Sequence, residues 1–160
     1  MNGIIVIDKP QGKTSHDIVN IMRKKFATRR VGHTGTLDPL ATGVLPICIG
    51  NATRAADMLS ASDKKYRATM MLGKRTDTLD IDGEVTDEKH VSVTEQQVHE
   101  VISGFVGEQD QIPPMYSAIK KDGKKLYDLA RQGIEIEREP RRITIFSIDI
   151  IDINLPYITI

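Results

Sequence analysis

The chain has 160 residues, 39% apolar and 28% charged, with 22 basic residues balanced by 22 acidic ones. That is enough for one sizeable core in an ordinary soluble globular protein, no stretch approaches a membrane span, and no signal-peptide pattern opens the sequence. A single cysteine, Cys48, excludes an internal disulfide and a cysteine-rich zinc site and points to a cytoplasmic setting, while zero net charge gives no global pull toward nucleic acid.

In chain order, residues 3–8 (GIIVID) predict a strand, ended by the turn Lys9-Pro10-Gln11-Gly12. Ser15 stands where it can cap a helix to about Phe26, with Ile18, Val19, Met22 and Phe26 on one face. Residues 27–43 predict a glycine-rich loop and 44–49 a buried strand. Asn51 is placed to cap a short helix holding Ala55, Met58 and Leu59. Residues 66–72 read as a strand, and Asp82-Gly83 as a hairpin turn with a short strand through Val85. Thr94 and Gln97 form a capping-box pattern before a helix to about Ser103. Residues 111–114 are a break, 115–120 are strand-like, and Asp122-Gly123 is a turn. Residues 126–131 predict a helix with Gly133 as its C-terminal cap. Residues 143–153 predict a long strand whose alternation changes phase near Ile148, as at a bulge. Asn154-Leu155-Pro156 turns into a further strand from Tyr157, and the apolar end at Ile160 reads as a piece of a longer protein. Strands with interspersed helices and no regular βαβ alternation predict an α+β fold: a mixed, largely antiparallel sheet with flanking helices.

Chemistry concentrates in the run from Arg30 to Ile47, RVGHTGTLDPLATGVLPI. Gly32 and Gly35 permit backbone angles that other residues resist, and Pro39 biases Asp38 toward an extended backbone. A carboxylate held this way can serve as a nucleophile or general base. An Asp that only hydrogen-bonds its own Asp-Pro turn fits the pattern as well. The loop lacks both G-x-x-x-x-G-K-[ST] and G-x-G-x-x-G and precedes a strand, against a nucleotide-phosphate cradle. The acidic stretch 76–83 (TDTLDIDG) has Lys89 where a calcium loop needs its last Glu, which favours a hairpin over a metal site. The histidines at 16, 33, 90 and 99 show no ligand spacing. Basic residues cluster at Lys24, Lys25, Arg29 and Arg30, at Lys120, Lys121, Lys124 and Lys125, and at Arg138, Arg141 and Arg142; acidic ones cluster between Asp77 and Glu88. Such runs are ordinarily solvated surface, and their segregation can also create a local positive face.

Lys9-Pro10-Gln11-Gly12-Lys13-Thr14-Ser15 is similar to the first motif, K-P-x-G-x-T-S, of the TruB-type tRNA pseudouridine synthases. Residues 32–45 resemble the second, which holds that family's catalytic aspartate. Lys65-Tyr66-Arg67-Ala68 is similar to the active-site tyrosine segment, and 73–83 to the stretch G-x-x-T-D-T-x-D-x-x-G. Residues 112–145 resemble the thumb that grips the T-arm of tRNA. The matches follow the family's order and span essentially the whole chain.

The resemblance implies a pseudouridine synthase fold in which residues 1–160 form a partial catalytic domain. A thumb-like insertion would lie at about 108–146, and the C-terminal part of the catalytic domain and the RNA-binding domain would be absent. It further implies isomerisation of uridine to pseudouridine at position 55 in the T-loop of tRNA. The reaction would need no metal or redox cofactor, and the complete protein would be a cytoplasmic monomer. Asp38 would be the nucleophile, toward ribose or uracil. Tyr66 would pack on the target base and help remove the C5 proton. His33 would sit by the everted nucleotide. Lys120, Lys121, Lys124, Arg141 and Arg142 would contact phosphates, with specificity from the shape of the T-arm. The family's S-K-G-T-Y-I-R segment, whose Arg pairs with the catalytic Asp, would follow Ile160, so these 160 residues alone are expected to turn over little. A non-catalytic T-arm-binding module is the competing reading. A two-carboxylate glycosidase is disfavoured, because nothing near Asp38 in the sequence supplies a second carboxylate.

Overall fold

The computed structural model describes every residue except Ala118 and Asp122, and only the backbone of Lys120, Lys121 and Lys125. The chain divides into two compact units, Met1–Lys65 and Tyr66–Ile160. The first holds ten Lys and Arg against five Asp, the second twelve Lys and Arg against seventeen Asp and Glu. The neutral chain is therefore +5 in one unit and −5 in the other.

The first unit consists of β1 (Gly3–Lys9), α1 (Ser15–Lys25), β2 (Val31–His33), β3 (Gly43–Ile49), a 3-10 helix (Gly50–Ala55) and α2 (Ala56–Ser60). Its sheet has the order β1-β3-β2, antiparallel throughout. Ile18, Val19 and Met22 of α1 pack with Val31, Leu45, Ile47 and Ile49 from the sheet; Ile5, Ile7, Phe26 and Leu37 close the cluster. Each such aliphatic side chain taken from water contributes about 1.5–3 kcal/mol. Strand β2 lies inside the segment expected to be loop, because Val31 drops into this core. The cap of α1 is Thr14 rather than Ser15. Its hydroxyl accepts from the Asp17 N–H (3.0 Å) and donates to the Asp17 carboxylate (2.6 Å), which also accepts from the Thr14 N–H (2.8 Å). These bonds hold the Asp17 carboxyl below its ordinary pKa. Asn51 does not cap the next helix either. Its side-chain oxygen accepts from Arg30 Nη1 (3.1 Å), and its N–H is taken by Asn2 Oδ1 (2.7 Å).

The second unit opens with β4 (Thr69–Met71), shorter than expected; Tyr66 precedes it in irregular chain. Strands β5 (Lys74–Thr76) and β6 (Val85–Glu88) pair across the acidic stretch. Their connection is a wide loop, not a two-residue turn at Asp82-Gly83, because Asp77 Oδ1 accepts from the N–H groups of both Thr78 and Glu84 (2.9 Å each). Helix α3 (Glu95–Ser103) carries the anticipated capping box of Thr94 and Gln97. Strand β7 (Gly107–Gln111) pairs with β10 (Arg141–Ile145). Between them, β8 (Lys120–Lys121) pairs with β9 (Lys124–Lys125), and α4 (Leu126–Ala130) follows. Asp122, of the expected turn, lies outside the described residues. Gly133 takes a left-handed φ of 71° after α4, and Ile134 N–H reaches back to Leu129 C=O (3.0 Å), the expected C-terminal cap.

The long strand expected at 143–153 is instead divided between two sheets. Its first part is in β10, and β11 (Asp152–Asn154) pairs with β12 (Tyr157–Thr159), which also pairs with β4. Val98 and Ile102 of α3 pack with Ile158, backed by Met70, Leu72, Ile148, Ile150, Ile153 and Ile160. The whole is an α+β fold of several small sheets, and every strand pairing among the described residues is antiparallel.

Candidate active site

Alternation along β1 turns Ile5 and Ile7 toward the core and leaves Ile4 and Val6 exposed. Lys9 occupies the next inward position and is fully buried, with 0% exposure. A buried ammonium needs acceptors. Its Nζ donates to the carbonyls of Pro10 (3.0 Å), Lys13 (2.7 Å) and, more loosely, Pro39 (3.5 Å). The Gly12 amide donates to the same Pro39 carbonyl (2.8 Å), from a turn in which Gly12 has φ 80°. One flank of Asp38 is thus tied to the end of β1.

The other flank is tied to the start of α1. Leu37 packs its side chain against the first unit's core. Its N–H donates to Ser15 Oγ (2.9 Å), and Ser15 Oγ donates to its carbonyl (3.2 Å). Asp38 stands between these two anchors and is exposed. Its own carbonyl accepts from the Ala41 N–H (3.0 Å), closing a turn with Pro39 at the second position. Among the described residues, no hydrogen bond reaches the Asp38 carboxylate and no cation pairs with it. The self-capping Asp-Pro alternative is therefore not what forms. The loop holds its backbone through neighbours and leaves the carboxylate open to a ligand.

The loop leaves β2 because of a proline. The last pair of β2 is His33 with Ile47, and Pro46 comes next along β3. The Pro46 carbonyl still accepts from the Thr34 N–H (3.2 Å), but Pro46 has no N–H to return, so the ladder stops. His33 is half-buried there. Burial pushes its pKa below the ordinary 6.5. The Gly35 amide donates to Nδ1 (3.3 Å), which requires an unprotonated Nδ1 and places the proton of the neutral ring on Nε2.

Tyr66 is 67% exposed. Of the basic candidates, Lys124 and Arg141 are exposed, while Arg142 pairs with Glu108 (2.8 Å) and Asp110 (3.6 Å), which hold its guanidinium further toward the charged form. The side chains of Lys120 and Lys121 lie outside the described residues. Sequence reading passed over Lys9 and Ser15 as loop anchors. The signal for Lys9 was its place in the alternation Ile5, Ile7, Lys9.

Residues 23–160 match the family described as TruB family pseudouridylate synthase (N terminal domain), and the chain belongs to that family. It is 57% identical over 153 residues to tRNA pseudouridine synthase B of Alkaliphilus oremlandii (strain OhILAs), covering 96% of this chain and 51% of that protein. It is 52% identical over 159 residues to tRNA pseudouridine synthase B of Clostridium kluyveri, covering 99% and 55%. The chain spans about half the length of the curated relatives it matches. Among solved structures, it resembles a chain of a Cbf5-Nop10-Gar1 complex with a TM-score of 0.71 at 29% identity, covering 98% of this chain and 37% of that one. It also resembles a chain of an H/ACA RNP bound to a substrate RNA containing 2'-deoxyuridine, with a TM-score of 0.67 at 26% identity, covering 98% and 36%.

Proposed function

We propose that this chain is the Asp38-bearing part of an enzyme that isomerises uridine to pseudouridine in tRNA, at position 55 of the T-loop. The observation that supports it best is the Asp38 loop: an open carboxylate whose backbone is anchored on both sides by the K-P-x-G-x-T-S segment. Relatives named tRNA pseudouridine synthase B support tRNA as substrate. The +5 charge of the unit that holds Asp38 favours a polyanion there.

The reaction conserves atoms. The bond from uracil N1 to ribose C1′ breaks, C5 bonds to C1′, C5 loses a proton and N1 gains one. Asp38 attacks as the carboxylate, at C1′ or at the uracil ring, and is released unchanged when the base has turned. Tyr66, exposed at the start of the second unit, supplies a ring to stack on the everted base and a hydroxyl for the C5 proton. His33, neutral with a donor at Nε2, suits a hydrogen bond to the displaced RNA. Lys120, Lys121, Lys124, Arg141 and Arg142 lie in a thumb spanning about 108–146 and contact phosphates, for which Arg142 exchanges its two carboxylates.

The test uses the protein at its natural full length and tRNA labelled with tritium at C5 of uridine, since that hydrogen leaves only if the isomerisation occurs. Asp38→Asn is expected to keep tRNA affinity and to lose about 10³-fold or more in tritium release. Tritium release by Asp38→Asn at the parent rate would refute the nucleophile. Binding without release by the parent protein would make it a T-arm-binding module instead.

A further inference from the structure

We propose that Ser15 is a positioning residue for Asp38, fixing through Leu37 the backbone from which the carboxylate projects; the proposal rests on the reading of Asp38 as nucleophile. Ser15 is 2% exposed at the first position of α1. The helix has no need of its hydroxyl, because Thr14 and Asp17 already form the complete capping box. Alanine is the better helix former at a site that is only buried. The hydroxyl instead spends its donor and an acceptor on one residue 22 positions away.

The two bonds grip different peptide planes. The Leu37 N–H belongs to the plane joining Thr36 to Leu37, and the Leu37 carbonyl to the plane joining Leu37 to Asp38. Beyond Asp38, the Pro39 ring fixes its own φ. The carbonyls of Asp38 and Pro39 are engaged by Ala41 and by Gly12 with Lys9. With the Ser15 bonds in place, the main chain on both sides of Asp38 is set, and only the side-chain torsions of Asp38 remain free. Without them, the plane that leads into Asp38 is held by Leu37 packing alone. A displacement of about 1 Å at a reacting group can cost about 10²-fold in rate.

The experiment compares parent, Ser15→Ala, Ser15→Cys and Thr14→Ala proteins at full length, reading single-turnover tritium release, tRNA affinity and melting temperature. A thiol is a weak donor and acceptor, so Cys tests the hydroxyl without opening a cavity. Ser15→Ala and Ser15→Cys are expected to lose about 10- to 10²-fold in rate with affinity within about twofold. Amide hydrogen exchange at Leu37 should speed up in both. Thr14→Ala, which removes the cap and leaves the Ser15 hydroxyl, should melt lower yet keep the parent rate per folded molecule. Rates within about threefold of the parent, or unchanged exchange at Leu37, in Ser15→Ala and Ser15→Cys overturn the proposal alone. A parent that makes no pseudouridine, or an active Asp38→Asn, overturns the functional reading and the proposal with it.

Discussion

Replacing Lys9 by Met tests whether the buried ammonium is a structural clamp. Methionine keeps an unbranched stem of similar reach in the core and deletes the donor. Two bonds of full strength disappear, to Lys13 (2.7 Å) and Pro10 (3.0 Å), along with the long contact to Pro39 (3.5 Å). Hydrogen bonds from a charged group are worth about 1.5–3 kcal/mol each, or about 3–6 kcal/mol together. Two effects reduce that sum. Burying an ammonium costs several kcal/mol, which the variant no longer bears. Pro10 and Lys13 are also exposed residues, so water can replace part of what is lost. The net is a destabilisation of about 1–3 kcal/mol, or a melting temperature lower by about 5 °C. Urea unfolding should show a lower midpoint at unchanged slope. The Pro39 carbonyl keeps its bond from Gly12, so tritium release should fall only about tenfold in the folded variant. An equal or higher melting temperature would sink the clamp, since the bonds would then merely match the desolvation they require.

Asp38→Asn should leave the unfolding free energy within about 0.5 kcal/mol of the parent, because the exposed carboxylate makes no bond among the described residues; a larger loss in urea titration would mean that it supports the fold. Gly73→Ala should destabilise by about 2–3 kcal/mol in the same titration, since Gly73 has φ 81° and a Cβ there would lie 2.5 Å from the Lys89 carbonyl and 2.7 Å from Val91; a neutral result would contradict that packing. Thr94→Ala should cost about 1 kcal/mol by loss of the α3 cap, and Thr94→Ser should recover most of it. The depressed pKa of His33 gives a signed pH effect. Below pH 6.5 the unfolded chain takes up a proton that the folded site resists, so this contribution to stability is complete above 6.5 and declines as the pH falls toward the folded value. The acid limb of a stability–pH curve should therefore be shallower in His33→Gln, and superimposable curves would rule the effect out.

Where a residue's role is local, it was legible in the sequence. The Thr94 capping box, the Gly133 cap and the apolar face of α1 each depend on side chains within a few positions of one another, and all three formed as read. Readings failed where a distant partner decided the outcome. Ser15 looked like a helix cap, but Leu37 claims its hydroxyl and Thr14 takes the cap. Residues 143–153 looked like one strand because they are rich in β-branched residues with a single change of phase near Ile148, yet β7 and β12 draw its two ends into separate sheets. For Asp38, spacing left a nucleophile and a self-capped turn level. Only the tertiary bonds to Leu37 and Pro39 made the carboxylate an outward-facing group with a fixed base.

Among the described residues, every anchor of the Asp38 loop comes from the first 49 positions: Lys9 at the end of β1, Gly12 after it, Ser15 at the head of α1, and the β3 strand into which the loop runs. During synthesis these residues are joined before any of the second unit is made. At about 5–20 residues per second, the latest anchor follows the earliest within seconds. The support of the Asp38 backbone can therefore assemble while the chain is still growing. Errors of decoding after residue 65 would leave these anchors of the Asp38 backbone unaltered.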